Sequence, residues 1–134
     1  MSCQLFVYGT LMPSCGNYRQ IEQYVHGSQP GSIRGILADL GAFPALVAGE
    51  GIVRGVVLEV DAEALRITDR IEGYSARHAS NLYLRESVEV ALEDGRRTIA
   101  WTYFFADPNR IAGRPTCLVG HTDNMPVYAW PPSH

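Results

Sequence analysis

Three features are missing from this sequence: long apolar runs, clusters of positive charge and paired cysteines. No stretch approaches the ~20 apolar residues of a membrane-spanning helix. Basic residues number 11 against 14 acidic residues and form no run, so the charge pattern of a nucleic-acid-binding surface is absent. We therefore expect neither a membrane nor a nucleic acid as a partner.

The three cysteines, Cys3, Cys15 and Cys117, are widely spaced and include no CxxC pair. That pattern indicates neither a disulfide framework nor a zinc site. The N-terminal residues also lack the basic region of a signal peptide. These absences predict a cytosolic protein, and they leave the oligomeric state open, with a homodimer as one alternative.

What the sequence does contain is the composition of a globular domain. Hydrophobic residues make up 46% and charged residues 19% of 134 positions, a length that favours one domain. Five of the eight prolines fall after residue 105, where apolar periodicity fades. We expect a domain at 1–105 and an irregular extension at 106–134 that packs on it or projects from it, with disordered final residues.

The first half of the chain contains two clear strand patterns. β-branched and aromatic residues predict strands at 5–8 and 52–60, the second with a bulge or a close backbone approach at Arg54-Gly55. Residues 32–40 are predicted to be extended. Pro44 is predicted to bend the chain before a short edge strand.

Two short helices are predicted from the spacing of apolar residues. One covers 18–25 and is followed by a turn at 26–31. The other covers 61–71, where apolar residues recur at helical spacing, with Asp61 as N-cap and Gly73 as the C-terminal stop.

A hairpin is predicted in the second half. Residues 82–92 alternate in polarity, with Leu84 and Val90 on one face, and residues 98–105 are rich in aromatics; Asp94-Gly95 between them is the turn signal. Strands thus outnumber helices. This balance predicts an α+β fold built on a small mixed β-barrel or strongly curved sheet with short flanking helices, and such barrels commonly bind ligands at their mouths.

Two positions stand out as candidates for function. Glu72 ends the second predicted helix, where a carboxylate can enter a cleft, lose hydration and become a useful base; an exposed surface acid is the alternative. The loop from Gly9 follows the first strand, and consecutive backbone N–H groups in such a turn can bind a carboxylate or an oxyanion. An ordinary turn is the alternative for that loop.

Three short motifs follow one another along the chain: Val7-Tyr8-Gly9-Thr10-Leu11, Glu72-Gly73-Tyr74 and Tyr83-Leu84-Arg85. Together with Gly41-Ala42-Phe43-Pro44 and residues 55–60, their order and spacing resemble the γ-glutamylcyclotransferase-like family, which includes the AIG2-like proteins. The resemblance runs from about Leu5 to Phe105. It implies a small mixed barrel whose pocket is lined by Tyr8, Gly9, Thr10 and Leu11, with Glu72 as the catalytic acid/base.

The sequence matches this family at one further position and departs from it at two. Asn17 fits the usual asparagine after the loop. Ser14 stands where a glycine is common, which affects the path of the loop. Thr68-Asp69 replaces the usual Leu-Asp, which affects helix packing more than chemistry.

The resemblance implies a reaction in which a γ-glutamyl group cyclises and releases 5-oxoproline and a free amine. Glu72 would take the proton from the substrate α-amine and pass it to the departing amine. The reaction requires no metal and no cofactor. Glutathione, γ-glutamyl dipeptides, γ-glutamyl-ε-lysine and a modified metabolite all remain open as substrates.

Other side chains are weaker candidates. Tyr83 and Arg85 share one face of a strand and either bind a substrate carboxylate or form a core contact and a structural ion pair. Cys15 lacks an assignable base, and Asp69 is expected to be exposed or capping. The four histidines show no ligand spacing; His78, near Glu72, could touch substrate, although a solvated loop histidine is the ordinary alternative.

Three functions follow from these observations. The favoured one is a γ-glutamyl cyclotransferase. The first alternative is a binding module that uses the same pocket for a small carboxylate-bearing metabolite without turnover. The second is an interaction protein that works through its proline-rich extension.

Overall fold

Seven β-strands and one α-helix make up the computed structural model, which describes residues 2–13, 15–75 and 81–130. The elements are β1 (Ser2–Val7), β2 (Val25–Asp39), β3 (Pro44–Asp61), α1 (Ala62–Glu72), β4 (Tyr83–Leu92), β5 (Arg97–Phe105), β6 (Leu118–Thr122) and β7 (Met125–Tyr128). The described helices include none with the length and apolarity that a bilayer crossing demands.

Five of the strands close into a barrel. The sheet order is β1-β5-β4-β2-β3, and β3 returns to pair with β1, so that both edges of the five-stranded sheet are joined. The β1–β3 ladder is antiparallel, whereas β1 and β5 run parallel. The prediction of a small mixed β-barrel is confirmed.

One prediction is wrong for the longest strand, β3. Pro44 begins this 18-residue strand, at a position where its missing N–H is tolerated, and no short separate edge strand exists there. The ladder with β2 shifts register between the pairs Arg34↔Ile52 and Ile36↔Val47, so residues 48–51 lie opposite the single residue Gly35. That bulge curves the sheet and stands outside the predicted position at Arg54-Gly55.

Gly55 provides the close backbone approach that the sequence indicated. A Cβ at this position would lie 2.3 Å from the carbonyl oxygen of Val7 and 2.7 Å from the ring of Phe6. The strand itself continues without interruption, because Gly55 pairs with Gly31. Glycine is therefore needed here so that β1 can pack closely against β3.

The predictions for residues 18–31 are wrong. Two 3₁₀ turns, Gly16–Gln20 and Glu22–Tyr24, replace the predicted helix, and residues 26–31 belong to β2 instead of a turn. These residues pair with β3, a partner distant in sequence. The sequence of these residues gives no strand signal, because it contains two glycines and alternates weakly in polarity. Pairing with β3 is what keeps the segment extended.

Helix α1 ends where the sequence predicted. Gly73 adopts the left-handed conformation (φ 68°) directly after Glu72, and the buried face of the helix carries Ala64, Leu65 and Thr68. Asp61 occupies the N-cap position, but its carboxylate contacts His26 Nε2 at 2.7 Å and accepts no capping hydrogen bond from the helix.

The β4–β5 hairpin is confirmed, with Gly95 at φ 90° in its turn. The predicted inward face is correct for Val90, which is fully buried, and wrong for Leu84, which is 37% exposed. Near its beginning, β4 instead directs Tyr83 inward. The inward face of β4 therefore changes along the strand, and Tyr83 lies at the barrel mouth.

The prediction of an irregular extension is wrong for the described residues 106–130. A 3₁₀ turn at Pro108–Ile111 leads to the β6–β7 hairpin, and β7 runs parallel to β3 through the pair Val127↔Ile52. Cys117 just before the hairpin is fully buried. The disorder expected for the last residues concerns 131–134, which lie outside the described residues.

Replacing Gly55 by alanine should lower the free energy of unfolding by about 1–3 kcal/mol, because the added methyl group meets the Val7 backbone. Urea unfolding followed by circular dichroism measures this change. Gly120→Ala on β6 is the matched control, since a Cβ there meets nothing within 4 Å. Equal losses in both variants would contradict the explanation from close approach.

Candidate active site

A cleft of about 440 Å³ lies at one mouth of the barrel. Its walls come from the loop after β1 (residues 8–11), the chain entering β3 (42–44), the end of α1 (71–73) and the side chains of Leu82, Tyr83 and Tyr103. Elements far apart in sequence therefore meet here. Among the described residues that line the cleft, Glu72 is the only one with a charged side chain.

The similar lengths of α1 and β1 explain why Glu72 and the loop after β1 lie at the same mouth. Strand β1 pairs with the last part of β3, with Ser2 opposite Asp61 and Val7 opposite Val56. Helix α1 leaves β3 at the Ser2 end and returns by about 16 Å over its 11 residues, close to the ~20 Å that β1 spans. The end of the helix and the end of β1 therefore reach the same mouth.

The helix end is fixed by its backbone hydrogen bonds. Gly73 N donates to Arg70 O at 3.2 Å, and Tyr74 N donates to Asp69 O at 2.8 Å, the pattern of a Schellman motif. Gly73 has the positive φ that this motif requires. Glu72 is consequently held at the last helical position, beside the cleft.

Burial raises the pKa of Glu72 from its ordinary value of 4.5 to about 7. The cause is lost hydration of the carboxylate among mostly apolar walls. Near pH 7 the group can therefore both accept and donate a proton.

Three tyrosines form the wall of the cleft, and each hydroxyl has a protein acceptor. Tyr8 Oη donates to the Tyr103 carbonyl oxygen at 2.6 Å, and Tyr83 Oη donates to the Pro44 carbonyl oxygen at 3.1 Å. Tyr103 Oη donates to Asp69 Oδ1 at 2.6 Å. Burial, and after it the charge of Glu72, raises the pKa of Tyr8 and Tyr83, so both remain neutral.

The loop after β1 is closed on itself by Asn17. Asn17 N donates to Thr10 O at 3.0 Å, and Asn17 Nδ2 donates to Thr10 Oγ1 at 2.8 Å, while Met12 N donates to Gly9 O at 3.0 Å. Within the described chain, no acceptor is engaged by the backbone N–H groups of Gly9, Thr10 and Leu11. The loop thus offers consecutive donors next to the cleft.

Arg85 differs from the other candidate residues in its position. It does not line the cleft; its Nε lies 3.2 Å from Asp69 Oδ1, and its guanidinium lies 4.8 Å from the ring centre of Trp101. The Nε–H is not directed at the Asp69 oxygen, so the contact is an ion pair without a hydrogen bond. The ion-pair alternative therefore describes Arg85, whereas Tyr83 does line the cleft.

Asp69 was missed by the sequence analysis. Its side chain is only 22% exposed and contacts both Tyr103 and Arg85, which contradicts the expected exposed or capping role. The spacing of three residues from Glu72 put it on a neighbouring part of the helix face. Its partners lie on β4 and β5, however, and no sequence pattern links them to the helix.

The remaining candidates lie elsewhere. Cys15 does not line the cleft, and burial raises the pKa of the Cys117 thiol to about 12, so that thiol is unreactive. The described residues contain no group of three or more histidine, cysteine or acidic side chains suited to a metal ion. Ser14 and His78 lie outside the described residues.

The fold and site define a small β-barrel with an apolar ligand cleft that contains one buried carboxyl group. A family model described as gamma-glutamyl cyclotransferase, AIG2-like, matches residues 5–123. The chain belongs to this family, and the resemblance carried by the sequence motifs is confirmed.

Individual relatives agree with this assignment. The chain is 34% identical over 103 residues to the gamma-L-glutamyl-butirosin B gamma-glutamyl cyclotransferase of Niallia circulans, which covers 75% of this chain and 65% of the relative. Among solved structures, YkqA of Bacillus subtilis is 28% identical with a TM-score of 0.64, over 79% of this chain and 36% of that one. This chain therefore corresponds to less than two thirds of either protein.

A mouse AIG2-like protein supports the fold. Its crystal structure matches with a TM-score of 0.69 at 24% identity, over 86% of this chain and 85% of that one. At this level of identity the likeness extends to the architecture alone.

Glu72→Gln should make the protein more stable than the parent at alkaline pH. The folded state binds the Glu72 proton more tightly than the unfolded state does, so the stability of the parent falls as pH rises from 4.5 through 7. The difference in unfolding free energy between variant and parent should grow by about 3 kcal/mol between pH 4 and pH 8. Urea unfolding over that pH range measures it.

Glu93→Gln, which removes an exposed carboxylate from the hairpin turn, is the control and should follow the parent at every pH. A difference in unfolding free energy between Glu72→Gln and the parent that does not change with pH would contradict the burial of an ionisable group at position 72.

Proposed function

We propose that the protein is a γ-glutamyl cyclotransferase in which Glu72 is the general acid/base. The observation that carries this proposal is the position of Glu72 in a largely apolar cleft, where its pKa is raised to about 7. Family membership supports the reaction class. The γ-glutamyl cyclotransferase activity of the Niallia circulans relative also supports it.

The raised pKa suits the proton transfers of this reaction. A γ-glutamyl substrate carries an α-ammonium group next to its free α-carboxylate, and this group must lose a proton before its nitrogen can attack. A carboxylate of pKa about 7 is a better base for that proton than one of pKa 4.5. The freed amine then attacks the γ-carbonyl carbon, and a new C–N bond forms.

The same carboxyl group completes the reaction. Protonated Glu72 donates to the nitrogen of the leaving amine, the original C–N bond breaks, and 5-oxoproline and the free amine depart. No water molecule is consumed, and the step requires neither a metal nor a cofactor. Because the attack is intramolecular, a cleft that holds the substrate folded supplies much of the rate enhancement.

The loop after β1 is proposed to bind the negative charge of the substrate. The backbone N–H groups of Gly9, Thr10 and Leu11 have no protein acceptor among the described residues, and they are suited to the α-carboxylate or to the tetrahedral oxyanion. Tyr8 and Tyr83 contribute rings to the wall, since their hydroxyls already donate to carbonyl groups. Arg85 is not included among the proposed substrate contacts.

The parent protein should release 5-oxoproline from at least one member of a panel of γ-glutamyl amines, amino acids and peptides. Glu72→Gln keeps the shape of the side chain and removes the base, so its kcat/KM should fall by ~100-fold or more. In the parent, kcat/KM should rise with pH as Glu72 loses its proton around pH 7, and this dependence should be absent from the variant. Chromatographic detection of 5-oxoproline measures both.

Glu63→Gln, on the exposed first turn of the same helix, is the matched control and should retain parental rates. Equal release by the parent and Glu72→Gln would refute the role of Glu72. If no compound is turned over but one raises the melting temperature, the protein is a binding module for that metabolite.

Gly9→Ala tests the loop. A Cβ at Gly9 would lie 2.9 Å from the Pro44 ring, so the loop must move away from its position at the cleft, and we expect kcat/KM to fall by about 10-fold or more. Gly16→Ala is the control, because a Cβ there meets nothing within 4 Å. Parental activity of Gly9→Ala in the same assay would argue against binding of substrate by this loop.

A further inference from the structure

We propose that Asp69 and Arg85 are positioning residues that hold the Glu72 carboxylate in the cleft. The inference rests on the proposed function of Glu72. Neither side chain lines the cleft, and together they connect the last turn of α1 to two strands of the barrel.

Asp69 attaches the helix to β5 just before Glu72. Its Oδ1 accepts a hydrogen bond from Tyr103 Oη at 2.6 Å, and the Tyr103 carbonyl oxygen accepts one from Tyr8 Oη at 2.6 Å. A carboxylate that accepts from a buried hydroxyl forms a strong, directional bond. The helix face that carries Glu72 is thereby fixed to the tyrosine wall of the cleft.

Thr68 completes this attachment. Its Oγ1 lies 2.6 Å from Tyr103 Oη and 3.3 Å from Leu65 O. Because Tyr103 has one hydroxyl proton and donates it to Asp69, Thr68 must be the donor if the two hydroxyls share a hydrogen bond. Both Thr68 and Tyr103 are almost completely buried, so this contact is shielded from water.

Arg85 attaches the chain on the other side of Glu72. Its guanidinium lies over the rings of Tyr74 and Trp101, at 5.7 and 4.8 Å from their centres, while its Nε lies 3.2 Å from Asp69 Oδ1. The backbone of Tyr74 in turn donates to Asp69 O at 2.8 Å. The residues before and after Glu72 are therefore joined to β4 by the Asp69–Arg85 ion pair and the Arg85–Tyr74 ring contact, and to β5 by the Tyr103 hydrogen bond.

A helix end has to be held in this way if its last side chain is to remain in an apolar site. Two backbone hydrogen bonds fix the path of the chain at Gly73 and Tyr74, but they do not hold the side chains of the last turn, and a last turn frays readily. Among the described residues, Gly73 has no neighbour within 4 Å of where a Cβ would lie, so none of them packs against that point. Without the ion pair and the Tyr103 contact, the Glu72 carboxylate would turn toward water.

The direction in which the pKa of Glu72 changes distinguishes positioning from simple electrostatics. Removing the positive charge of Arg85 should raise the pKa of Glu72 if only charge matters, and should lower it toward 4.5 if Glu72 is released into water. Tyr103→Phe changes no charge, so electrostatics predicts no effect and positioning again predicts a lower value. Asp69→Asn should also lower the pKa of Glu72.

NMR titration of ¹³C-carboxyl-labelled glutamate, with the Glu72 signal assigned by its loss in Glu72→Gln, provides this readout. We expect a midpoint near 7 in the parent and values lower by about 1 or more in Arg85→Gln, Tyr103→Phe and Asp69→Asn. Glu63→Gln removes the other acid–arginine pair of α1, Glu63–Arg66, and should leave the Glu72 midpoint unchanged.

Kinetics provide the second readout. Each of the three variants should lower kcat by about 10- to 100-fold with KM within about threefold of the parent, because the base is misplaced while the substrate-binding loop is intact. Asp69→Asn combined with Arg85→Gln should lose little more than either alone, since the two residues act as one unit.

A raised or unchanged Glu72 midpoint in Arg85→Gln and Tyr103→Phe would overturn the proposal, as would losses in kcat that multiply in the double variant. Circular dichroism confirms folding at the assay temperature, and if Asp69→Asn does not fold, the other two variants decide the question. If the parent turns over no substrate, the proposed function fails, whereas the titration still tests the positioning of Glu72.

Discussion

The site depends on one constraint: a single carboxyl group is kept against apolar walls, where water solvates its charge poorly. Burial of this kind raises the pKa of Glu72 to about 7 and makes the ionised form costly to the folded protein. A flexible chain would relieve the cost by turning the carboxylate outward. The fold therefore has to hold the end of α1 rigidly, and its barrel provides the elements that do so.

Strand β3 organises this rigidity. It pairs with β1, whose end leads into the loop at Gly9, and it continues directly into α1, whose end carries Glu72. Both parts of the site are thus attached to the same strand and return to the same mouth. The closed barrel limits their relative movement, because β5 and β4 connect β1 to β2 on the other side of the barrel and carry Tyr103 and Tyr83.

Family membership and site geometry contribute different kinds of support. Membership in the gamma-glutamyl cyclotransferase, AIG2-like family defines the fold and the expected class of reaction, although a shared fold does not by itself ensure activity. The buried carboxyl lies beside backbone donors that have no acceptor among the described residues, and this arrangement favours chemistry over simple binding, because a binding protein gains little from a base of pKa about 7. The cleft contains no second charged side chain among its described residues.

The sequence alone determined α1, the β4–β5 hairpin and the candidates Glu72 and Gly9, because caps, turn glycines and periodicity are local signals. Tertiary structure alone decided the strand at 26–31 and the β6–β7 hairpin, whose extended form depends on pairing with β3. The tertiary structure also places Arg85 outside the cleft and next to Asp69. Such contacts connect residues on different elements, and a pattern along one segment carries no information about which side chain the barrel will place opposite it.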